Sequence, residues 1–181
     1  MPFGTWWRGD AFPNLPPLPA FSAYKEADAH AIVQLTGLSE REASKRLQAG
    51  HIAYVAAIGD SPAAYGWVAT QTGGIVELQL TFSVAPGNRY LWDFLTLPHW
   101  RGRGIYPHLL QEIIRQEQNV ERFWIGYAPG NDVSAHGIEK AGFRIVGDLV
   151  VDEGHISGLK LFDSSIYARA SAEFFQLPVI A

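Results

Sequence analysis

The sequence of 181 residues contains no cysteine, which excludes disulfide bonds, a thiol nucleophile and metal sites with cysteine ligands. It has no apolar run near the roughly 18 residues of a membrane-spanning helix, and its first residues lack the charged and apolar regions of a signal peptide. It has no block of lysine or arginine, and its formal net charge is -4, so electrostatic capture of nucleic acid is not expected. We therefore predict a cytoplasmic protein with no nucleic-acid or membrane partner.

The distribution of proline and aromatic residues predicts how the chain is divided. Residues 1–20 are rich in both, which disfavours a regular helix but makes the segment too apolar for a solvated tail. We therefore predict an extended arm that lies on the body or on a partner chain. The remaining length suits one domain, which we place at residues 21–163. Residues 164–181 are predicted to form a tail that packs on the domain or on a partner chain, as in a homodimer.

The stretch from residue 90 to residue 110 combines a strand, a glycine-bearing turn and the start of a helix. Residues 90–97 form an aromatic and aliphatic run that Pro98 ends, which predicts a strand. From Ile105 onward, apolar residues recur at helical spacing, and Pro107 suits a first helical turn. The loop Arg101-Gly102-Arg103-Gly104 lies between them. Because a helix N-terminus offers unpaired N–H groups and the positive end of the dipole, we predict an anionic ligand of pyrophosphate size.

Three phosphate-binding patterns can be compared with this loop. A P-loop requires Gly, four residues and then Gly-Lys-Ser/Thr, which the sequence lacks. A dinucleotide-binding fingerprint requires a third glycine where this chain has Pro107. Arg101 and Gly104 instead occupy the first and fourth positions of Arg/Gln-x-x-Gly-x-Gly/Ala. The loop thus resembles the acetyl-CoA pyrophosphate motif of the GNAT N-acetyltransferase superfamily, although Tyr106 stands where that family prefers glycine or alanine.

A second segment, residues 131–143, resembles the next helix of the same family. The family pattern there is Asn-x-x-Ala-x-x-Leu-Tyr-x-Lys-x-Gly-Phe, and the matching positions are Asn131, Ser134, Lys140, Gly142 and Phe143. The resemblance implies an α/β fold with a mixed, mostly antiparallel central sheet and flanking helices. It also implies that residues 90–97 and 122–127 form a parallel pair of strands that splay apart.

The resemblance implies an N-acetyltransferase. Such an enzyme moves an acetyl group from acetyl-CoA to the primary amine of a small molecule or amino-acid-like acceptor by direct attack in a ternary complex. Three departures from the family favour an alternative, a catalytically degenerate acetyl-CoA-binding sensor or scaffold domain. They are Trp92 in place of an acidic residue, Tyr106, and Ile138 in place of the usual tyrosine acid. A weaker third hypothesis is a structural domain in which Tyr106 blocks the binding of the cofactor.

The resemblance also implies site residues. The backbone N–H of Phe94 is expected near the thioester carbonyl, Asp93 is expected to act as the base or amine anchor, and Tyr127 is the candidate acid. His99, His136 and Glu77 remain further candidates for proton transfer, and no metal is expected. The predicted acetyl-CoA-binding residues are Phe94, Leu95, Thr96, Arg101, Gly102, Arg103, Gly104, Ile105, Tyr106, Asn131 and Ser134.

The remaining patterns predict secondary structure. Two helices are expected within residues 24–50, where Ser39 and Glu42 form a capping pair. A hairpin is expected at residues 51–71, and one strand at residues 75–85 because apolar and polar residues alternate there. A second hairpin is expected at residues 143–162, around Asp152-Glu153-Gly154.

Overall fold

The computed structural model describes residues 1–152 and 155–180. Its main feature is a sheet in the order β10-β9-β1-β8-β7-β4-β3-β2, in which β7 and β8 run parallel and the other neighbouring strands run antiparallel. The strands are β1 (Pro2–Trp7), β2 (Phe21–Glu26), β3 (Ile52–Ile58), β4 (Ser61–Ala69), β5 (Thr72–Ile75), β6 (Leu80–Ser83), β7 (Asn88–Thr96), β8 (Arg122–Gly126), β9 (Arg144–Asp152) and β10 (His155–Leu161). The helices are α1 (Ala29–Thr36), α2 (Glu40–Gln48), α3 (Ile105–Gln116), α4 (Asp132–Ala141) and α5 (Ile166–Phe175). The predicted fold class is confirmed.

Side-chain caps begin α2 and α4, and the cap of α2 is the predicted Ser39. The Ser39 hydroxyl accepts a hydrogen bond from the Glu42 amide at 3.1 Å and begins α2. The Asn131 side chain accepts one from the Ser134 amide at 3.1 Å and begins α4, which Gly142 ends with a φ of 106°. Side-chain oxygens satisfy amides that the first turn of a helix cannot pair internally. These short-range signals explain why α2 and α4 were predictable.

The segment predicted to be extended at residues 1–20 begins with the strand β1. Pro2–Trp7 lies inside the sheet, hydrogen-bonded to β8 on one side and to β9 on the other, with Phe3 and Trp6 buried. A proline is tolerated at the first residue of a strand, and the other prolines of the segment follow Trp7. The high proline content of residues 1–20, taken as a whole, gave no indication of the regular strand at the beginning of this segment.

The predicted single strand at residues 75–85 is also wrong. The chain forms β5, a 3-10 turn at Val76–Leu78 and β6, which pairs with β5 in a separate two-stranded sheet. Val76 is consequently 81% exposed, whereas Phe82 is buried as expected. Gly73, which pairs with Phe82 across the two strands, makes room for its ring, because a Cβ atom at Gly73 would lie 2.4 Å from it.

The C-terminal part of the chain packs on the domain. The hairpin strands β9 and β10 are paired as predicted, while the predicted turn residues Glu153 and Gly154 lie outside the described residues. In α5, Phe174 stacks on Trp124 with ring centroids 4.6 Å apart. None of the helices in the described part of the chain has the length and hydropathy that a membrane crossing requires.

Candidate functional site

The parallel strands β7 and β8 separate partway along their length. They pair from Asn88 with Arg122 to Leu91 with Ile125. Beyond Leu91, β7 continues to Thr96 alongside β4. The predicted splayed pair is therefore present, and its opening lies beside the N-terminus of α3.

A β-bulge shapes β7 at this opening. The pairing of β7 with β4 shifts register between Trp92 and Leu95, so Asp93 and Phe94 together stand opposite Gly66. Asp93 adopts a φ of 51°, a conformation that aspartate tolerates better than most residues. Gly66 is required because a Cβ atom there would lie 2.0 Å from the Phe94 ring. The bulge leaves one residue of β7 outside the regular ladder at the point where the strands part.

A cavity of about 200 Å³ occupies the opening. Its walls combine both strands with the two helices that follow them. They are residues 91–94 of β7, residues 125–128 of β8 and the following loop, Tyr106 of α3, and Asn131 and Ser134 of α4. Six of the predicted site residues thus meet in one place, namely Asp93, Phe94, Tyr106, Tyr127, Asn131 and Ser134.

The N-terminus of α3 faces solvent with unpaired amides. Gly102 and Gly104 have φ values of 77° and 76°, and α3 begins without a side-chain cap. In the described part of the chain, the amides of residues 102–106 donate to no protein acceptor. Gly102, Arg103 and Gly104 are exposed. Such a row of amides at the positive end of a helix fits an anionic group.

The two predicted arginines of the loop are held by local contacts. Arg101 donates from Nε to the backbone oxygen of Thr96 at 3.1 Å, and the Arg103 guanidinium lies 4.9 Å from the centre of the Trp100 ring. Both side chains are exposed. They add positive charge at the rim of the loop without covering its amides.

Tyr106 points toward α4. Its ring lies 5.5 Å from the Phe94 ring, centroid to centroid, and fills space that Gly137 leaves open, because a Cβ atom on Gly137 would lie 2.5 Å from Tyr106 Cδ1. Burial raises the pKa of Tyr106 above its usual value, and the nearby Ser134 side chain lowers it in part. The large side chain of Tyr106 is therefore accommodated because Gly137 on α4 has no side chain.

Asp93 is paired with an arginine that the sequence did not single out. Its carboxylate accepts a hydrogen bond from Arg46 Nη1 at 2.5 Å, and the Arg46 guanidinium stacks 4.5 Å from the Trp92 ring and 5.1 Å from the Trp67 ring. His51 contacts Trp92 edge-on at 5.3 Å. Burial and the nearby charge of Arg46 lower the pKa of His51. This group of residues joins α2 to the bulge.

Among the predicted residues not yet described, Tyr127 lines the cavity and the others do not. Tyr127 lines the cavity, and its pKa is raised, first by burial and then by the nearby charges of Glu139, Asp148 and Asp132. Leu95 and Thr96 continue β7 in register with β4 and do not line the cavity, and Ile105 is buried in the core beneath α3. The further proton-transfer candidates, His99, His136 and Glu77, are all exposed and lie outside the cavity.

Two residues of the site escaped the sequence analysis. Arg46 lies 47 positions before Asp93, so only the pairing of distant elements brings them together. Gly137 could have been noticed, because it replaces the leucine of the second motif just as Tyr106 replaces the small residue of the first. The two departures read together would have predicted their contact.

Comparisons with known proteins bear on the family and the fold of the chain. The sequence profile of the acetyltransferase (GNAT) family matches residues 17–143, whereas a search of curated proteins found no significant match. Among solved structures, AAC(6')-Iy in complex with the bisubstrate analogue CoA-S-monomethyl-acetylneamine is similar, with a TM-score of 0.56 at 14% identity over 74% of this chain and 97% of that one.

Two further solved structures are similar. The aminoglycoside acetyltransferase meta-AAC0020 from an uncultured soil metagenomic sample, in complex with sisomicin, gives a TM-score of 0.55 at 12% identity over 74% of this chain and 93% of that one. YncA of Salmonella typhimurium, assigned as an acetyltransferase and solved with its cofactor acetyl-CoA, gives 0.52 at 13% identity over 76% and 88%. At these identities the likeness concerns the fold.

Proposed function

The chain belongs to the GNAT acetyltransferase family, and we propose that it is an N-acetyltransferase that moves an acetyl group from acetyl-CoA to the primary amine of a small molecule or amino-acid-like acceptor. The amine attacks the thioester directly in a ternary complex. With no cysteine in the chain, a covalent cysteine intermediate is excluded.

One observation carries this proposal. The strands β7 and β8 part after Leu91 and Ile125, and the cavity in the gap lies next to the uncapped N-terminus of α3. Residues 102–106 offer amides for a pyrophosphate, and the cavity beside them offers a place for the thioester end. Acetyl-CoA combines both chemical groups in one molecule. The aminoglycoside acetyltransferases among the similar structures support a small amine as acceptor.

The residues of the bulge suit the chemistry of acetyl transfer. We propose that the Phe94 N–H donates to the thioester oxygen, where removing such a donor typically costs about 3–4 kcal/mol of activation free energy. An aliphatic amine with a pKa near 10.4 is uncharged in only about one molecule in 2500 at neutral pH. Asp93 accepts a hydrogen bond from Arg46 through one carboxylate oxygen, and its other oxygen can bind the incoming ammonium and accept, directly or through a water molecule, the proton that the amine must lose.

A second function is favoured by the α4 helix. Ile138, at the position of the family's tyrosine acid, is fully buried and can donate no proton, and Asp93 already has a charged partner in Arg46. A domain that binds acetyl-CoA as a sensor or scaffold without turnover would tolerate both features. A protein that is thermally stabilised by acetyl-CoA but releases no CoA with any amine would match this second function.

The Asp93→Asn substitution tests the acceptor side of the site. Asparagine adopts a positive φ as readily as aspartate, so the bulge is expected to persist. We expect kcat/KM for the best amine to fall by about 10- to 100-fold, because a hydrogen bond to a charged group is worth about 1.5–3 kcal/mol, while the dissociation constant of acetyl-CoA stays the same. Thiol release in a panel of amines measures the first quantity, and thermal shift measures the second.

The exposed Asp60 in the β3–β4 turn provides a matched control, and Asp60→Asn is expected to behave as the wild type. Acetyl-CoA at about 100 times its dissociation constant should add about 2.7 kcal/mol to the free energy of unfolding in all three proteins. Unchanged turnover in Asp93→Asn would remove Asp93 from the mechanism.

A further inference from the structure

Acetyl transfer leaves negative charge on a sulfur atom, and few groups at the cavity can stabilise that charge. A free thiol has a pKa near 8.5, so the departing sulfur develops charge at neutral pH unless a donor lies close to it. Three of the residues that line the cavity carry a side-chain hydroxyl, namely Tyr106, Tyr127 and Ser134. Ile138, one turn further along α4, is buried and apolar.

The ring of Tyr106 is held by contacts on two sides. It is held between the Phe94 ring and the backbone of Gly137. Ser134 of α4 lines the same cavity. Phe94 is also the residue whose N–H is assigned to the thioester oxygen, so Tyr106 lies one side chain away from the reacting group. Tyr127 belongs to the loop after β8, and Tyr127 also lines the cavity.

Glycine at position 137 is what allows this arrangement. A leucine, or even an alanine, at position 137 would overlap the Tyr106 ring, since the first side-chain carbon would already lie 2.5 Å from it. The hydroxyl therefore comes from Tyr106 on α3, and the absence of a side chain at Gly137 on α4 leaves room for the Tyr106 ring. Two departures from the family pattern, each unfavourable alone, complement each other in space.

We propose that the Tyr106 hydroxyl donates a hydrogen bond to the sulfur of CoA as the C–S bond breaks, with Gly137 making room for its ring. This inference rests on the proposed acetyltransferase function. The C–N bond forms, the C–S bond breaks, and the proton lost by the amine nitrogen is the proton that the thiolate finally gains. Burial keeps Tyr106 protonated, so it remains a donor throughout the neutral range.

The pKa of the CoA thiol in its complex with the protein tests this directly. Thiolate absorbs in the ultraviolet, so the titration can be followed by absorbance in wild type, Tyr106→Phe and Tyr24→Phe, the last being an exposed tyrosine on the outer strand β2. We expect the thiol pKa to be about 1–2 units higher in Tyr106→Phe than in the other two, because a hydrogen bond to a charged group is worth about 1.5–3 kcal/mol. We also expect kcat to fall about 10- to 100-fold, with the dissociation constant of acetyl-CoA changed less than about 3-fold.

The role of Gly137 is tested by coupling. Gly137→Ala should lower kcat about as much as Tyr106→Phe, and it should have little further effect when Tyr106 is already alanine, since the overlap is then gone. An equal effect of Gly137→Ala in both backgrounds would contradict the proposed positioning.

The outcomes separate this inference from the proposed function. If CoA binds and amines are acetylated, but the thiol pKa and kcat are the same in wild type and Tyr106→Phe, Tyr106 is not the donor and the acetyltransferase stands. If the shift appears in Tyr127→Phe instead, the donor is Tyr127. If CoA binds only after Tyr106→Ala, the tyrosine blocks the cavity and the inference is overturned. Failure of CoA to bind any of these proteins would contradict the proposed function itself.

Discussion

Replacing Gly102 and Gly104 together with alanine is expected to weaken the binding of acetyl-CoA by about 100-fold. Both glycines have φ near 76°, and a left-handed conformation costs an ordinary residue about 1–2 kcal/mol. The loop can escape that cost by changing its path, but it then turns away the amides of residues 102–106. Isothermal titration with acetyl-CoA measures the loss.

Gly59→Ala provides the matched control for this loop. Gly59 has a φ of 58° and open space around its Cα, but it lies in the turn between β3 and β4. It should lose about 1–2 kcal/mol of unfolding free energy, the cost of one left-handed residue, and no affinity. Equal affinities in the control and the double variant would mean that the glycine loop does not hold the pyrophosphate.

Replacing Glu117 with glutamine is expected to lower the free energy of unfolding by about 3 kcal/mol, the low end of the roughly 3–5 kcal/mol for breaking a buried ion pair. Glu117 is 6% exposed at the C-terminus of α3. Its carboxylate accepts hydrogen bonds from Tyr54 at 2.9 Å and Arg89 at 3.0 Å, and it forms an ion pair with Lys25 at 2.7 Å. These partners lie on β3, β7 and β2, so one side chain ties the helix to three strands. Because Lys25 and Arg89 retain some contact with water, the cost stays at the low end.

The same residue makes stability depend on pH. Burial alone would raise the pKa of Glu117, but Lys25, Tyr54 and Arg89 outweigh it, and the pKa lies below its usual value. Its contribution is therefore fully present above the unfolded-state pKa of about 4.3 and is lost as the pH falls through the lower folded-state pKa.

Urea unfolding of wild type and Glu117→Gln should give curves that converge as the pH falls below about 4. Glu112→Gln is the control, because Glu112 lies on the same helix with partly exposed contacts to Arg115 and Gln116, and a surface pair is worth at most about 1 kcal/mol. A difference between wild type and Glu117→Gln that does not change with pH would contradict the assigned role of its charge.

The parts of the fold that could be predicted rest on short-range signals. The caps at Ser39 and Asn131 and the glycine at position 142 define helix ends within a few residues of chain, and the loop before α3 carries its chemistry in four residues. The position of β1 was not predictable in this way. Its hydrogen bonds go to β8 and β9, more than 100 residues away, and no local pattern encodes that pairing.

The residues of the site that could be predicted also rest on short-range signals. Phe94 and Asn131 followed from motif positions, and both line the cavity. Arg46 did not, because its contact with Asp93 depends on how α2 packs against the bulge. The left-handed φ of Asp93 likewise follows from the register shift against β4, which the sequence of β7 alone does not reveal.

Amide chemical shifts during titration with CoA and acetyl-CoA test the central claim, that the open strand pair and the α3 N-terminus bind one coenzyme together. We predict that the amides of residues 102–106 shift with both ligands and that the Phe94 amide responds more strongly to acetyl-CoA, which carries the carbonyl. Saturable shifts confined to other parts of the protein, with residues 102–106 unmoved, would contradict the account.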